Sequence, residues 1–283
     1  MTQYEHAARP DGLAERHPLP ALSPLARLAR FFRRTLTIVT LEVRKLRHDS
    51  TELVTRAIQP ALWLLVFGEV FTQIRAIPTG TTRYLDFMAP GILAQSVLFI
   101  AIFYGIAIIW ERDLGIIHKL LVSPTPRTAL VLGKALSAGV RGLAQAIIIY
   151  ILALLLGVDV SWHPASLLGV MLIVVLGSAL FSTFSLIIAC IVKTRERFMG
   201  VGQVLTMPLF FASNAIYPIA IMPAWLRAIA HVNPLTYEVD ALRALMLTAG
   251  TSAFGLGLDF LVLTLSTAVL VIVGAMLYPT VVQ

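Results

Sequence analysis

The sequence predicts an all-α integral membrane protein with six spanning helices, on three observations. Of 283 residues, 58% are hydrophobic and only 13% charged, whereas a soluble domain of this size sits nearer a half and a quarter. Several apolar runs reach the about 20 residues that a helix needs to cross a bilayer. Lys and Arg crowd into alternate connections between those runs, the distribution that sets orientation in a membrane.

Residues 1–23 hold Pro10, Pro18 and Pro20 among polar residues and read as a disordered tail. Their polar start, with no basic stretch followed by an apolar one, does not read as a signal peptide. From 24 to 48, Leu25, Leu28, Phe32, Leu36 and Val39 recur at steps of three or four, with Arg27, Arg30, Arg33 and Arg34 between them. That pattern is an amphipathic basic helix lying on the membrane interface, as an anchor or also touching a cytoplasmic partner.

The remaining chain, within a membrane domain covering 24–283, divides into spans at 57–74, 88–110, 136–157, 165–192, 199–222 and 256–278. The fourth is long for a bilayer of about 30 Å and must tilt or extend into the interface. Between the fifth and sixth, 223–247 is too amphipathic to span. Ala224 to His231 reads as one short helix. Asn233 and Pro234 open a second as N-cap and first helical residue, with Leu235, Val239, Leu242 and Leu245 or Met246 on an apolar face and Glu238, Asp240 and Arg243 off it. Two short helices between prolines suggest a re-entrant hairpin dipping into the outer leaflet.

Orientation follows from the cations. The segment before the first span carries ten: Arg9, Arg16, Arg27, Arg30, Arg33, Arg34, Arg44, Lys45, Arg47 and Arg56. Arg112, Lys119, Arg127 and Lys134 follow the second span, and Lys193, Arg195 and Arg197 the fourth; the other side has Arg75, Arg83, Arg227 and Arg243. Both termini are therefore expected in the cytoplasm. Two of the ionisable residues inside spans stand out. Arg141 lies near a cytoplasmic end, where it can snorkel to the interface, and Glu69 lies near an outer end, as an interface anchor or as a contact to a partner or substrate.

Composition and motifs also exclude. The formal charge of +7 is confined to tail and loops, so nucleic-acid binding is not expected. The single Cys190 sits in an apolar run, as a small filler. No HExxH, CxxC or GxSxG motif is present, and the six scattered histidines do not make a metal site. Gly133-Lys134 lacks the flanking residues of a phosphate-binding loop. The chain is thus not expected to be an enzyme or to hold a cofactor, and if ATP drives it, another polypeptide binds the nucleotide.

The segment of greatest functional interest is Glu111 to Lys134, ERDLGIIHKLLVSPTPRTALVLGK. Glu111, Arg112 and Asp113 mark an exit from the bilayer. Leu114, Ile117 and Leu121 can share one face of a short helix that Pro124 and Pro126 stop. Exposed apolar residues beside ion-pairing groups suit a protein interface.

The run ERDLGIIHKLLVSPTPRTALVLGKALSAGVRGLAQ is similar to the signature region of ABC-2 type transporter permeases, in appearance nearest to the drug-exporter and nodulation-protein subgroup that includes daunorubicin resistance permeases. A second match is NPLTYEVDALRALML at 233–247, which resembles that subgroup's segment before the last span. The likeness covers nearly everything from about residue 30 onward. Asp113, Ile116 and His118 depart from the usual Glu-Arg-Glu, Gly-Thr and acidic residue at those places.

The resemblance implies the type V ABC exporter fold in the plasma (inner) membrane of a prokaryote. Two such permeases, or one with a sister permease, would sit on two ATPase subunits that bind ATP and Mg. The helix from about 113 to 122 would be the coupling helix, with 24–48 beside it. Glu111, Arg112, Asp113, Leu114, Gly115, Ile117, Leu120, Leu121, Ser123, Pro124 and Arg127 would form the ATPase-coupling surface. Along the path the resemblance implies for such dimers, Gln95, Ser96, Tyr104, Gln203, Phe210, Phe211, Asn214 and Tyr217 either line the way or pack helices. With no cation in mid-span there, a hydrophobic or amphiphilic, drug-like cargo is expected to be exported. Export of a lipid or lipid-linked glycan is the alternative, and an ATP-independent secondary transporter or channel a weaker one.

Overall fold

The computed structural model describes residues 33, 37, 40, 44, 55, 58–74, 77, 83–117, 126–192 and 194–278. The tail 1–23 and all but four residues of the expected interface helix 24–48 lie outside the described residues. Those four, Arg33, Thr37, Thr40 and Arg44, are helical and exposed. Their spacing of four, three and four places them on one face, and Thr37 Oγ1 donates to the Arg33 carbonyl at 2.9 Å.

The helical stretch from 58 contains a π-helical segment, Trp63–Gly68, and continues as α1 (Glu69–Ile74). After it come α2 (Tyr84–Asp113), α3 (Arg127–Leu155), α4 (Pro164–Ile191), α5 (Arg195–Phe211), a 3-10 turn at Ile219–Ile221, α6 (Ala224–Val232), α7 (Pro234–Met246) and α8 (Leu256–Leu277). Among the described residues, α2, α3, α4 and α8 are long and apolar enough to cross a membrane. Consecutive α2, α3 and α4 run antiparallel, and α8 runs parallel to α4. One end of the bundle gathers Arg112, Arg127, Lys134 and Arg195 (the basic end); the opposite end gathers Tyr84, the α3–α4 loop and the α7–α8 loop.

Helix α4 is the hub, touching α2, α3, α7 and α8. Small buried residues make the close approach possible: Gly177, Ser178, Ser182, Thr183 and Ser185 all lie on it. A Cβ at Gly105 of α2 would collide with Ser185 Oγ, and one at Gly142 of α3 with Ser178 Oγ. Without a water-driven force between helices in lipid, such contacts supply the cohesion.

The chain expected to span at 199–222 is helical from Arg195 but only to Phe211, 17 residues. At 1.5 Å per residue that is about 26 Å, short of a bilayer core. Pro208 inside the helix removes a backbone donor, and the released end is taken up by side chains. Ser213 Oγ donates to the Phe210 carbonyl at 2.7 Å. Asn233 Nδ2 donates to the Leu209 and Ala212 carbonyls at 2.7 and 3.3 Å. The same side chain caps α7, its Oδ1 accepting from Leu235 N at 3.0 Å.

From that anchor α7 runs inside the bundle against α2, α4 and α8. Here the structure departs from the amphipathic pattern of the sequence. Glu238 and Asp240 are as buried as Leu235 and Val239. Asp240 and Arg243 are covered by protein where their groups find partners. Asp240 Oδ2 accepts from Ser252 Oγ at 2.7 Å, Ala253 N at 2.8 Å and Phe254 N at 3.1 Å. The Arg243 guanidinium stacks over Phe87 at 3.9 Å and donates to the carbonyls of Phe87 and Asn214. Glu238 fits because Gly177 has no side chain: a Cβ there would meet its carboxyl. Loops at this end are stitched by a short antiparallel bridge, Val160 to Leu247, with Ser161 N donating to Met246 O at 2.8 Å and Thr248 N to Asp159 O at 3.1 Å.

Candidate functional site

At the basic end, sequence neighbours that read as a loop surface separate into a buried and an exposed set. Glu111 closes α2 against α3 through an ion pair, Lys134 Nζ to Glu111 Oε2 at 2.5 Å, with the two side chains 6% and 11% exposed. Tyr104, one of the expected path residues, lies beneath this region: Arg141 is over its ring at 4.9 Å and Lys134 at 6.0 Å. Arg141 thus rests against an aromatic face inside the bundle. Further out, Asp113 pairs with Arg112 at 3.0 Å and with Arg195 of α5 at 2.9 Å, while the Arg195 guanidinium lies 3.6 Å over the Trp110 ring. One carboxylate and one indole therefore hold the start of α5 against the end of α2.

The turn beyond α2 decides which apolar groups face out. Leu114 is its C-cap and Gly115 has φ +69°, a left-handed conformation that glycine adopts without strain. The chain reverses there. Ile117 turns inward and is fully buried among Ile108, Ile109, Leu130 and Phe198, whereas Leu114 is 67% exposed and Ile116 39%. The common face expected for Leu114 and Ile117 is thus absent, because the pattern assumed an unbroken helix through Gly115. The exposed apolar pair is Leu114 with Ile116, flanked by Arg112, Asp113 and the exposed Arg127. Leu120, Leu121, Ser123 and Pro124 lie outside the described residues.

The expected path residues fall in separate places. Gln95 and Ser96 are buried in α2, and Ser96 Oγ donates to the Ile92 carbonyl of its own helix at 2.7 Å. Gln203 is exposed on α5. Asn214 is buried where its carbonyl accepts from Arg243, and Tyr217 donates its hydroxyl to the Phe211 carbonyl. Phe210 and Phe211 do come together with a residue the sequence did not single out. Trp63 lies 6.2 Å from Phe210 and 6.5 Å from Phe211, ring centre to ring centre. From Trp63 the row continues through Phe67 (4.4 Å), Phe71 (6.1 Å from Phe67), Tyr84 (5.5 Å) and Phe87 (6.3 Å). The result is an aromatic row joining the end of α5 to the start of α2. Spacing of four between Trp63, Phe67 and Phe71 was the signal available in the sequence. Glu69, on the same helical stretch, is half exposed and pairs with Arg83 at 3.4 Å.

Glu238 is the second feature that pattern reading missed as a buried group. Its carboxyl is fully enclosed and neither oxygen has a hydrogen-bond partner among the described residues. Burial therefore holds its pKa well above the ordinary carboxylate range.

A bundle of membrane-length helices with its charged turns gathered at one end defines an integral membrane protein. The family model for ABC-2 type transporters matches residues 33–247, and the chain belongs to that family, whose permeases pair with an ABC ATPase. It is 29% identical over 203 residues to ycf38 of Cyanophora paradoxa, named as a transport permease, covering 71% of this chain and 70% of the relative. The daunorubicin resistance ABC transporter permease protein DrrB1 of Streptomyces coeruleorubidus is 26% identical over 220 residues, 78% of this chain and 76% of its own length. The inner membrane transport permease YadH of Escherichia coli K12 is 26% identical over 197 residues, 68% and 73% of the two chains.

Proposed function

We propose that this chain is the permease subunit of an ABC exporter that moves a hydrophobic or amphiphilic, drug-like compound outward across a prokaryotic plasma membrane. Two copies, or one copy and a sister permease, carry two ATPase subunits that bind ATP and Mg. Six crossings complete the membrane domain, with the helices at 58–74 and 195–211 joining the four long ones, α6 and α7 forming a re-entrant hairpin, and both termini in the cytoplasm. The observation that carries the reading is the basic end. Exposed Leu114 and Ile116 stand on a turn whose base is locked to α3 by Glu111–Lys134 and to α5 by Asp113–Arg195. A push on that turn reaches three helices at once, which is what a two-state device driven by nucleotide needs. The aromatic row from Phe211 to Phe87 offers an uncharged face to an amphiphile, and the daunorubicin resistance relative supports a drug-like cargo.

The test is Leu114→Asp in the intact permease. Co-purification of the ATPase should fall at least about tenfold, the loss expected of a central apolar anchor, while the permease keeps its melting temperature. Undiminished co-purification would remove Leu114 from the interface.

A further inference from the structure

At the end opposite the coupling turn, a cavity of about 330 Å³ is lined by Arg83, Asp86, Asp159, Arg243 and the loop around Thr251. Two cations and two carboxylates face one space, yet none of the four forms an ion pair with another of them. Arg83 pairs with Glu69, at 3.4 Å. Arg243 donates to backbone carbonyls of Phe87 and Asn214. Asp159 Oδ1 takes the Thr248 hydroxyl at 3.0 Å. The loops Val160–Leu247 and Asp159–Thr248 are stitched to each other, and Asp86 accepts from the Asp159 backbone and feels the charge of Arg83 without an ion pair forming. An occupant that satisfies both signs must itself carry both, a phosphate toward the guanidinium groups and an ammonium toward the carboxylates.

The same short loop has a second, apolar side. Trp162, three residues after Asp159, lines a groove of about 350 Å³ between α3 and α4 with Leu143, Ile147, Tyr150, Leu154 and Met171. Asp159 lines the polar cavity and Trp162 the apolar groove, so one short loop borders both at the ends of membrane-length helices, the level at which a phospholipid carries its headgroup above its chains.

We infer that this end of the permease is a binding site for a phospholipid with a phosphoethanolamine head, the headgroup seated between Arg83, Arg243, Asp86 and Asp159 and one acyl chain in the groove below Trp162. The site requires only that the chain spans a bilayer; it stands whether or not the ATPase-coupling reading does.

Native mass spectrometry of the purified permease tests this. The protein is equilibrated with an equal mixture of phosphatidylethanolamine, phosphatidylglycerol and phosphatidylcholine of the same chains. The wild type should retain phosphatidylethanolamine over each of the others by about tenfold, because only that head presents N–H donors to the carboxylates and a phosphate to the guanidiniums. Asp86→Asn should erase the preference over phosphatidylglycerol, and the exposed Arg83→Gln, a safer change for folding, should lower retention of all three. Equal retention by the wild type, or a preference that survives both substitutions, overturns the site. Glycerophosphoethanolamine supplies the remaining arm. If it displaces the lipid at equal concentration, the apolar groove contributes nothing and the lipid assignment fails; if the lipid stays bound, the groove holds its chain.

Discussion

Lys134 sits well inside α3, almost wholly enclosed, because Glu111 of α2 meets its ammonium with a carboxylate at 2.5 Å. Enclosed pairs of this kind are costly to break from one side. Lys134→Met should therefore lower stability by about 3 kcal/mol or more, read as a drop in the thermal midpoint. The double variant Glu111→Gln, Lys134→Met should recover most of it. A single variant that melts with the wild type would show that the pair is not structural. Glu238 makes the opposite case. Its carboxyl is enclosed with no hydrogen-bond partner, so folding takes up a proton there. A raised folded-state pKa stabilises most below the ordinary carboxylate range, and that stability is lost as pH climbs toward the raised value. Glu238→Gln removes the slope. Wild type and variant should melt together near about pH 4, and the variant should melt higher near about pH 8. Parallel melting curves across that range would show Glu238 to be ionised and paired.

Among elements, the joint between α5 and α7 depends on one side chain. In a bilayer the carbonyls at the end of α5 have no water to turn to, and Asn233 meets two of them while capping α7. Asn233→Ala removes all three bonds and should cost about 2 kcal/mol or more. Asn233→Asp keeps the cap but withdraws the amide from Leu209 and Ala212, so it should fall between the two. An alanine variant as stable as the wild type would show the joint to be held by packing alone. The Asn233-Pro234 start of α7 was legible in the sequence, and so were the four long apolar helices. Periodicity did not reveal what covers α7. It marks Glu238, Asp240 and Arg243 as off the apolar face, but whether each meets water or a neighbouring helix is a property of the neighbour. Nor did it foresee Gly115, whose positive φ turns Ile117 into the core and leaves Leu114 and Ile116 outside.

For the whole molecule, the two ends of the bundle differ in kind, and sidedness follows from that difference. One end carries Arg112, Arg127, Lys134 and Arg195 with the exposed turn at Leu114 and Ile116. The other carries stitched loops and a charge-balanced cavity. Cations are retained on the cytoplasmic side of a membrane, so the first end should face inward and the second outward. Cys190, the chain's one cysteine, is buried and can be replaced by Ala to give a silent background. In that background, Leu114→Cys and Thr251→Cys place single thiols at exposed positions of the two ends. A membrane-impermeant maleimide added to intact cells should label Thr251→Cys and spare Leu114→Cys, and inside-out vesicles should reverse the result. Labelling of both from one side would mean that the helices between them do not cross the bilayer as drawn. Labelling of Leu114→Cys alone from intact cells would invert the molecule, and with it the direction in which an ATPase could push.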